Sequence, residues 1–275
     1  MKWLLKRGWM YGAMLAVAAF ALFPIYWVAI TSLKPRSEIY SRTPDLWPSD
    51  PQWHIYPDVF NEGHVGRALA NSLIVAGATT VLCLIVAPLA AYALTRFDIP
   101  LKRVLLMLVL MTQMFPLVVL VIPLFVIMRN ADLLGTYAGL VVSYLAFTVP
   151  LAIWVMRGFL VGIPAELEHA ARKDGATRLG AMWRVMLPLA APGLATTAVL
   201  CFLEGWKEFM LALTFMNEET RKTLPVVIQS FVGRGDTDWA SIMAASVIYT
   251  LPVIIVFIVL RKHLMRGTMS GAVKG

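Results

Sequence analysis

Six long runs of apolar residues dominate this sequence, and all but the fifth are free of charged side chains. They cover about residues 10–33, 68–95, 104–128, 133–156, 185–216 and 240–260. A bilayer has a hydrocarbon core about 30 Å thick, which a helix of about 20 residues can cross. Each run is long enough, and none shows the alternation of an outer-membrane barrel strand. We therefore expect an all-α integral membrane protein with six transmembrane helices, forming a single domain over residues 1–275.

Composition excludes the main soluble classes. Hydrophobic residues make up 59% of the 275 residues, the mean hydropathy is +0.74 and only 15% of residues are charged. A soluble domain of this size cannot bury so much apolar surface. A disordered chain has fewer apolar residues than this one. A soluble nucleic-acid-binding protein needs clusters of basic residues, and a disulfide scaffold needs more cysteines. The two cysteines, Cys83 and Cys201, each lie within a spanning run, so we expect no structural disulfide.

The positions of Lys and Arg predict the orientation. Fifteen of the 24 basic residues fall in the stretches 1–9, 96–103, 157–184 and 261–275, which share one side of the membrane. Because basic loops stay in the cytoplasm, we expect both termini to be cytoplasmic. The net charge of +8 is then mainly an orientation signal, and a nucleic-acid partner is not needed to explain it. The first run is longer than the core of a secretory signal, so we favour a retained span over cleavage.

The first outer loop, residues 34–67, contains five of the sixteen prolines. Proline prevents a continuous helix, while Trp47, Trp53 and Tyr56 are residue types typical of the membrane–water interface. We expect this loop to lie folded against the outer surface. It is either an interfacial cap without a partner or a docking surface.

The cytoplasmic loop 157–184 contains a short helix. Pro164 suits the first turn and Gly175 the end, which frames about ten residues, or roughly half a membrane. Spacing places four side chains on one face: Leu167, Ala170, Ala171 and Asp174. A helix presenting two alanines can approach the backbone of another protein closely. We interpret it as a contact for a cytosolic partner.

This loop resembles the EAA loop of bacterial ABC importer permeases. In that motif, Glu-Ala-Ala is followed by any three residues and then Gly, and a hydrophobic-x-Leu-Pro sequence begins about nine residues after the Gly. This chain has Ala170-Ala171, Gly175 and Leu187-Pro188 at the matching spacing. Other segments resemble the carbohydrate-uptake, binding-protein-dependent branch, especially permeases of the maltose G type: Ser32-Leu33-Lys34-Pro35, Asn71-Ser72-Leu73, Ala91-Tyr92-Ala93-Leu94, Arg96-Phe97, Met114-Phe115-Pro116, Trp206 to Phe209, and Gly271 to Gly275. The resemblance implies the type I permease fold.

One position departs from the motif. His169 stands where the family usually has the motif glutamate, and Glu168 lies one position earlier, about 100° around an ideal helix. The identity of the docking carboxylate therefore stays open. The resemblance implies that eight residues couple this chain to an ATPase: Glu168, His169, Ala170, Ala171, Asp174, Gly175, Leu187 and Pro188.

The resemblance implies a transport subunit, not an enzyme, that is multi-pass in the bacterial cytoplasmic (inner) membrane. Its expected partners are a second permease subunit, two ATPase subunits, an external solute-binding protein and the lipid bilayer, with no nucleic acid. The loop would act as the coupling helix, moved when the ATPase closes on ATP, and this motion would drive alternating access to a central cavity. The expected substrate is a di- or oligosaccharide or a related polyol derivative.

The resemblance also places ATP and Mg²⁺ on the partner ATPase subunits, with no cofactor bound by this chain. The sequence agrees, because it contains no G-x-x-x-x-G-K-[ST] motif. Gly175 and Gly180 have the required spacing, but Ala181 and Met182 follow instead of the lysine and hydroxyl residue that hold phosphates and Mg²⁺.

The fifth run carries three charges, Glu204, Lys207 and Glu208. A charge at the bilayer centre costs about 2.5–3.5 kcal/mol on insertion scales, so these must be paired, lie near the outer end or face water. Spacing places them on one helix face beside Trp206, and we expect Lys207 to neutralise one carboxylate. Two interpretations stay open. The group is a structural ion pair at a subunit interface, or these four residues line a substrate path.

Two other function classes are weighed against this prediction. A stand-alone secondary transporter is expected to show paired repeats and broken half-helices near the midplane, and the sequence indicates neither. An integral membrane enzyme needs convergent catalytic residues at one face. The histidines are instead scattered between the two faces: His54, His64, His169 and His263.

Overall fold

The computed structural model describes residues 2–43, 45–233 and 237–271. Pro44 of the outer loop and residues 272–275 of the terminal segment lie outside them. Within these ranges every regular element is helical, which confirms the all-α class. The α-helices are α1 (Lys2–Ser32), α2 (Arg36–Ile39), α3 (Ile55–Asn61), α4 (Val65–Arg96), α5 (Lys102–Thr112), α6 (Leu117–Asn130), α7 (Tyr137–Val161), α8 (Ala165–Lys173), α9 (Arg178–Ala181), α10 (Leu187–Leu189), α11 (Ala191–Lys207), α12 (Met210–Phe215), α13 (Leu224–Ser230) and α14 (Trp239–Gly271). A π-helical turn, Met182–Met186, joins α9 to α10, and a 3-10 turn covers Glu219–Arg221.

Among the described residues, four helices are long and apolar enough to cross a membrane: α1, α4, α7 and α14. Two further pairs qualify only when each bent pair counts as one span. These are α5 with α6, bent by 97°, and residues 178–189 with α11, bent by 80°. Length and composition therefore give four to six spans.

The third predicted span, 104–128, is wrong as a continuous helix. The structure breaks it between Thr112 and Leu117. Pro116 lacks an N–H group and disfavours helical geometry at the residue before it, so a helix tends to end there. Pro123 lies inside α6 without ending it.

The fifth predicted span, 185–216, is broken twice. The first break is at Ala190, between α10 and α11, where Pro188 and Pro192 flank the bend. The second follows Lys207, where Glu208 takes an extended conformation with φ −67° and ψ 129°. The sequence indicated no broken half-helices, whereas the structure has two bent helix pairs, so this criterion does not separate a secondary transporter from the other interpretations for this chain.

The chain divides into two compact units. The first comprises Met1–Arg67 and Val227–Pro252, and the second Ala68–Val226 and Val253–Gly275. In the second unit, α7 packs against α11, α5 and α12. Its largest cluster of fully buried side chains includes Leu140 and Tyr144 of α7 with Leu211 and Phe215 of α12. This packing positions the cavity described below.

The first unit contains the outer loop, which folds back on the end of α1, while its position against the outer membrane surface stays a prediction. Its backbone is tied to the end of α1, because Gln52 N–H donates to the Leu33 carbonyl at 2.8 Å. The Tyr56 and Ser32 hydroxyls are also 2.8 Å apart. Lys34 is buried, and its ammonium lies 4.6 Å from the centre of the Trp27 ring. Trp47 and Trp53 are exposed, which fits either a lipid interface or a docking surface.

Candidate functional site

The predicted cytoplasmic helix is present as α8. Pro164 precedes it, Glu166 lies in its first turn, and Arg172 and Lys173 lie in its last turn, an arrangement that complements the helix dipole. The helix ends at Lys173, and Gly175 follows two residues later with a φ of +91°, which is disfavoured for residues with a side chain. Two backbone bonds close this end, from Gly175 N–H to the Arg172 carbonyl and from Ala176 N–H to the Ala171 carbonyl.

Glu168 points inward from α8 and is only 5% exposed. The Tyr92 hydroxyl donates to its Oε1 at 2.6 Å, and Arg96 Nε lies 3.2 Å from its Oε2. Both partners belong to the last turns of α4. A buried carboxylate is costly unless it is paired and hydrogen-bonded, and these two contacts meet that requirement.

The same cluster ties together three further segments. Arg96 donates from its guanidinium to the Ile163 carbonyl at 2.6 Å, just before α8. The Arg178 guanidinium lies 4.8 Å from the centre of the Phe97 ring, which packs edge-on against Tyr92. We call Tyr92, Arg96, Phe97, Glu168 and Arg178 the α4–α8 cluster. It joins the end of α4 to α8 and to the segments on either side of α8, at Ile163 and Arg178.

The structure separates the predicted coupling residues into two groups. Glu168 faces α4, and Leu187 is buried beneath the loop. Five of the others are exposed and one, Ala171, is half-buried; the exposed ones are His169, Ala170, Asp174, Gly175 and Pro188. Leu167 is exposed too, so three of the four residues of the predicted face are open. Their contact with an ATPase stays a prediction.

The partners of Glu168 were missed by sequence reasoning. Tyr92 and Arg96 lie 76 and 72 positions before Glu168, so no local spacing connects them. Their only signal in the sequence was membership of segments that resemble the family, Ala91-Tyr92-Ala93-Leu94 and Arg96-Phe97.

A second candidate site lies in the second unit where the α5–α6 break meets α7 and the end of α11. It is an open cavity of about 190 Å³, which we call the Glu204 cavity. Its wall is formed by Thr112, Gln113, Phe115, Leu117, Tyr144, Phe147, Thr148, Glu204 and Glu208. Gln113 is held by its side-chain amide, which donates to the Phe147 carbonyl at 3.0 Å. The helix break thus supplies both a polar and an aromatic side chain to the cavity.

Glu208 lines this cavity and its side chain also caps the N-terminus of α12. Its carboxylate accepts hydrogen bonds from Leu211 N–H at 2.8 Å and Ala212 N–H at 3.1 Å, and from the Tyr144 hydroxyl at 2.6 Å. A carboxylate at a helix N-terminus satisfies free N–H groups and complements the dipole. Because the chain leaves the helix at Glu208, this side chain does not continue the α11 face as the spacing predicted.

Glu204 and Lys207 form the predicted ion pair, with Lys207 Nζ 2.8 Å from Glu204 Oε1. The side chains are 39% and 63% exposed, so water screens the attraction and the pair adds little to stability. Trp206 is elsewhere, buried and stacked on Phe202 with ring centres 5.4 Å apart. The structure therefore brings Glu204 and Glu208, but not Trp206 or Lys207, to the cavity wall.

Metal-ligating residue types do not converge in the parts of the chain that the structure describes. Among those residues, no three His, Cys, Asp or Glu side chains form a group that could hold a metal ion. The two candidate sites are accordingly a surface helix with a buried anchor and a cavity lined by carboxylates and aromatic rings.

Comparison with known proteins identifies the family. Residues 83–269 match the family described as binding-protein-dependent transport system inner membrane component. The trehalose transport system permease protein SugB of Mycobacterium tuberculosis is 38% identical over 94% of each chain. The sulfoquinovosyl glycerol transport system permease protein SmoH of Agrobacterium fabrum is 37% identical over 92% of this chain and 89% of that protein.

A solved structure agrees with these matches. One chain of a bacterial ABC transporter involved in import of the acidic polysaccharide alginate is 27% identical, with a TM-score of 0.77 over 94% of this chain and 96% of that chain. The relatives are named as transport permeases, which confirms a transport subunit over an enzyme. This chain belongs to the inner membrane components of binding-protein-dependent transport systems, in the branch of ABC importer permeases that serve carbohydrate uptake.

Proposed function

We propose that this chain is one permease subunit of an ABC importer that carries a di- or oligosaccharide, or a related polyol derivative, across the bacterial cytoplasmic membrane. A second permease, two ATPase subunits and an external solute-binding protein complete the importer. Each bent helix pair serves as one span, which gives six spans and two cytoplasmic termini. ATP and Mg²⁺ bind to the ATPase subunits, and this chain binds no cofactor.

The buried anchoring of α8 is the observation that carries this proposal. Glu168 is held by Tyr92 and Arg96 of α4. A force applied to α8 from the cytoplasm is therefore transmitted to the end of a membrane-length helix. A short surface helix without a partner needs no buried ion pair to a spanning helix, whereas a mechanical coupling element does.

The opposite face of α8 is free to receive the ATPase. Ala170 lies about 160° from Glu168 around the helix and is exposed, with His169 and Leu167 on either side. The small side chain of Ala170 allows close approach of a partner's backbone. In this arrangement Glu168 positions the helix, and the neighbouring exposed residues make the contact. Closure of the ATPase subunits on ATP then shifts α8 and α4 together and switches the access of the central cavity.

The substrate path of this subunit passes the Glu204 cavity. The cavity offers carboxylates, an amide and aromatic rings, which are groups that bind sugar hydroxyls and the apolar faces of sugar rings. Lys207 and Trp206 support the path from outside the cavity wall. The names of the relatives mention trehalose and the acidic polysaccharide alginate, so homology alone does not give the charge of the sugar.

Site-directed photocrosslinking tests the coupling role in the assembled importer. A benzophenone attached to Ala170→Cys should crosslink to an ATPase subunit, because Ala170 lies on the exposed face of α8. The matched control is Asp98→Cys, which is exposed in the loop between α4 and α5. The native thiols are buried and should not react under these conditions. Equal crosslinking from both positions, or none from Ala170→Cys in an intact complex, contradicts the proposal.

A further inference from the structure

The wall of the Glu204 cavity contains two carboxylates and no basic side chain among its lining residues. Lys207 is paired to Glu204, but its side chain lies outside the wall. Counting Glu204, Lys207 and Glu208 together leaves one net negative charge at the cavity. An anionic solute entering it would meet like charge at close range, where the repulsion is reduced but not removed by the water that reaches Glu204.

The two carboxylates differ in what they can still bind. Glu208 already accepts three hydrogen bonds from Tyr144, Leu211 and Ala212. Glu204 uses Oε1 for Lys207, and within the described residues its Oε2 has no hydrogen-bond donor. Because Gln113 donates from its amide nitrogen to a backbone carbonyl, its side-chain oxygen is also available as an acceptor. The free polar groups of the cavity therefore favour ligands that donate hydrogen bonds.

Aromatic side chains complete the cavity. Phe115 is 60% exposed at the α5–α6 break, and Phe147 of α7 lies in the same wall. Ring faces of this kind pack against the C–H faces of a sugar, which carry no charge. At about 190 Å³ the cavity is smaller than the roughly 300–1,000 Å³ of pockets for drug-sized ligands. Its size suits one sugar ring and not a whole oligosaccharide.

We propose that the Glu204 cavity binds one neutral sugar ring through hydroxyl donors and discriminates against sugars that carry a carboxylate, sulfonate or phosphate. This inference rests on the proposed function, because it assigns the charge class of the sugar that passes this subunit. Glu204 supplies the acceptor, Phe115 and Phe147 supply the apolar contact, and the net negative charge supplies the discrimination.

Two probes that differ only in charge test the discrimination. Methyl α-D-glucopyranoside is neutral, and the matching methyl glucuronide carries a carboxylate in place of the primary alcohol. Binding of each to the whole importer in lipid nanodiscs is measured by saturation-transfer NMR at low salt. For the unmodified protein we expect the neutral probe to bind at least about tenfold more tightly. High salt should reduce this ratio, because it screens the repulsion.

Two substitutions of opposite charge form the matched pair of variants. Glu204→Gln removes a negative charge and should reduce the ratio by about threefold or more. Lys207→Met removes the positive charge and should increase it. Both residues are partly exposed, so neither change disturbs a buried core. Phe115→Ala should weaken both probes and leave their ratio unchanged, because it removes a contact that does not depend on charge.

The inference is overturned if the glucuronide binds as tightly as the glucoside, or if the two charge variants move the ratio in the same direction or not at all. Failure of the proposed function has a separate readout, ATP-driven sugar uptake by proteoliposomes supplied with the binding protein. An importer that takes up sugar but shows no charge discrimination contradicts only this inference. If Glu204→Gln does not assemble, the salt dependence of the unmodified protein and Lys207→Met decide the question.

Discussion

Tyr92 donates a 2.6 Å hydrogen bond to the buried carboxylate of Glu168, across 76 positions of sequence. This bond joins the end of α4 to the centre of α8, and Arg96 completes it as an ion pair. A hydrogen bond to a charged group contributes about 1.5–3 kcal/mol when buried. The contact therefore stabilises the packing of α8 against the end of α4.

Tyr92→Phe and Glu168→Gln should uncouple ATP hydrolysis from transport. Each weakens the link between α8 and α4 while leaving the exposed face of α8 in place. We expect the sugar transported per ATP hydrolysed to fall by about tenfold, which corresponds to a loss near the lower limit for such a bond. The measurement is parallel uptake and phosphate release in proteoliposomes.

The control for these variants is Tyr11→Phe, which removes a tyrosine hydroxyl from the exposed surface of α1. It should leave the ratio of transport to hydrolysis unchanged. A normal ratio in Tyr92→Phe and Glu168→Gln would show that this contact does not transmit force.

Any substitution that adds a β-carbon at Gly175 should be destabilising, although the space around this residue is open. A Cβ there would meet nothing within 4 Å, but the φ of +91° is strained for any residue with a side chain. We expect Gly175→Val to destabilise the end of α8 by about 1–2 kcal/mol. This change should reduce the coupling of ATP hydrolysis to transport, while the protein still inserts into the membrane. Gly158→Ala on α7 is the matched control, since its surroundings are equally open and its φ is not positive. Wild-type coupling in Gly175→Val would contradict the role of this helix end.

Gly193, at the start of α11, lies against the Phe159 ring of α7. A Cβ on Gly193 would approach the ring to 2.5 Å, closer than real contacts allow. Gly193→Ala should therefore lower the free energy of unfolding by about 1–3 kcal/mol, because the site becomes overpacked. A lower midpoint of thermal unfolding in detergent would show this loss. Adding Phe159→Ala should recover part of the loss, because it removes the clashing ring. If Gly193→Ala is as stable as the unmodified chain, this contact is not tight.

Cys83 of α4 and Cys201 of α11 lie in one buried cluster with Ala87 and Ala152. Both thiols are free and buried, and the Cys83 thiol donates to the Thr148 hydroxyl at 3.1 Å. The oxidant diamide crosses membranes and should convert the two thiols into an intramolecular disulfide. In this step the diamide takes up the two electrons and two protons and becomes the hydrazine. Counting maleimide-reactive thiols after denaturation should give none for the oxidised chain and one for Cys201→Ser. Dimers linked between chains, or two thiols that remain reactive, would contradict this proximity.

Local features of the fold could be predicted because their causes are local. The long apolar runs require a lipid environment whatever the packing, and all four long spanning helices overlap predicted runs. The bounds of α8 follow from Pro164 and Gly175, whose backbone preferences act within one turn. The pairing of Glu204 with Lys207 follows from a spacing of three on one helix.

Two of the three helix breaks lie at prolines, but the apolar pattern alone does not locate them. Pro116 lies at the first and Pro188 and Pro192 flank the second. The apolar runs continue through these prolines, so a hydropathy pattern counts each as one span. Pro123 and Pro150 lie inside continuous helices, which shows that proline alone does not decide where a span breaks.

Sequence alone determined the membrane environment of this protein, the helical class and the bounds of α8, because partition into lipid and helix capping depend on neighbouring residues. Tertiary structure alone decided that Glu168 turns inward to Tyr92 and Arg96, that the Glu208 side chain caps α12, and that Glu204 faces a cavity formed at the α5–α6 break. Each of these depends on partners that are distant in sequence. A side chain's charge is known from its letter, but its role depends on which donors and rings the fold brings within a few ångströms.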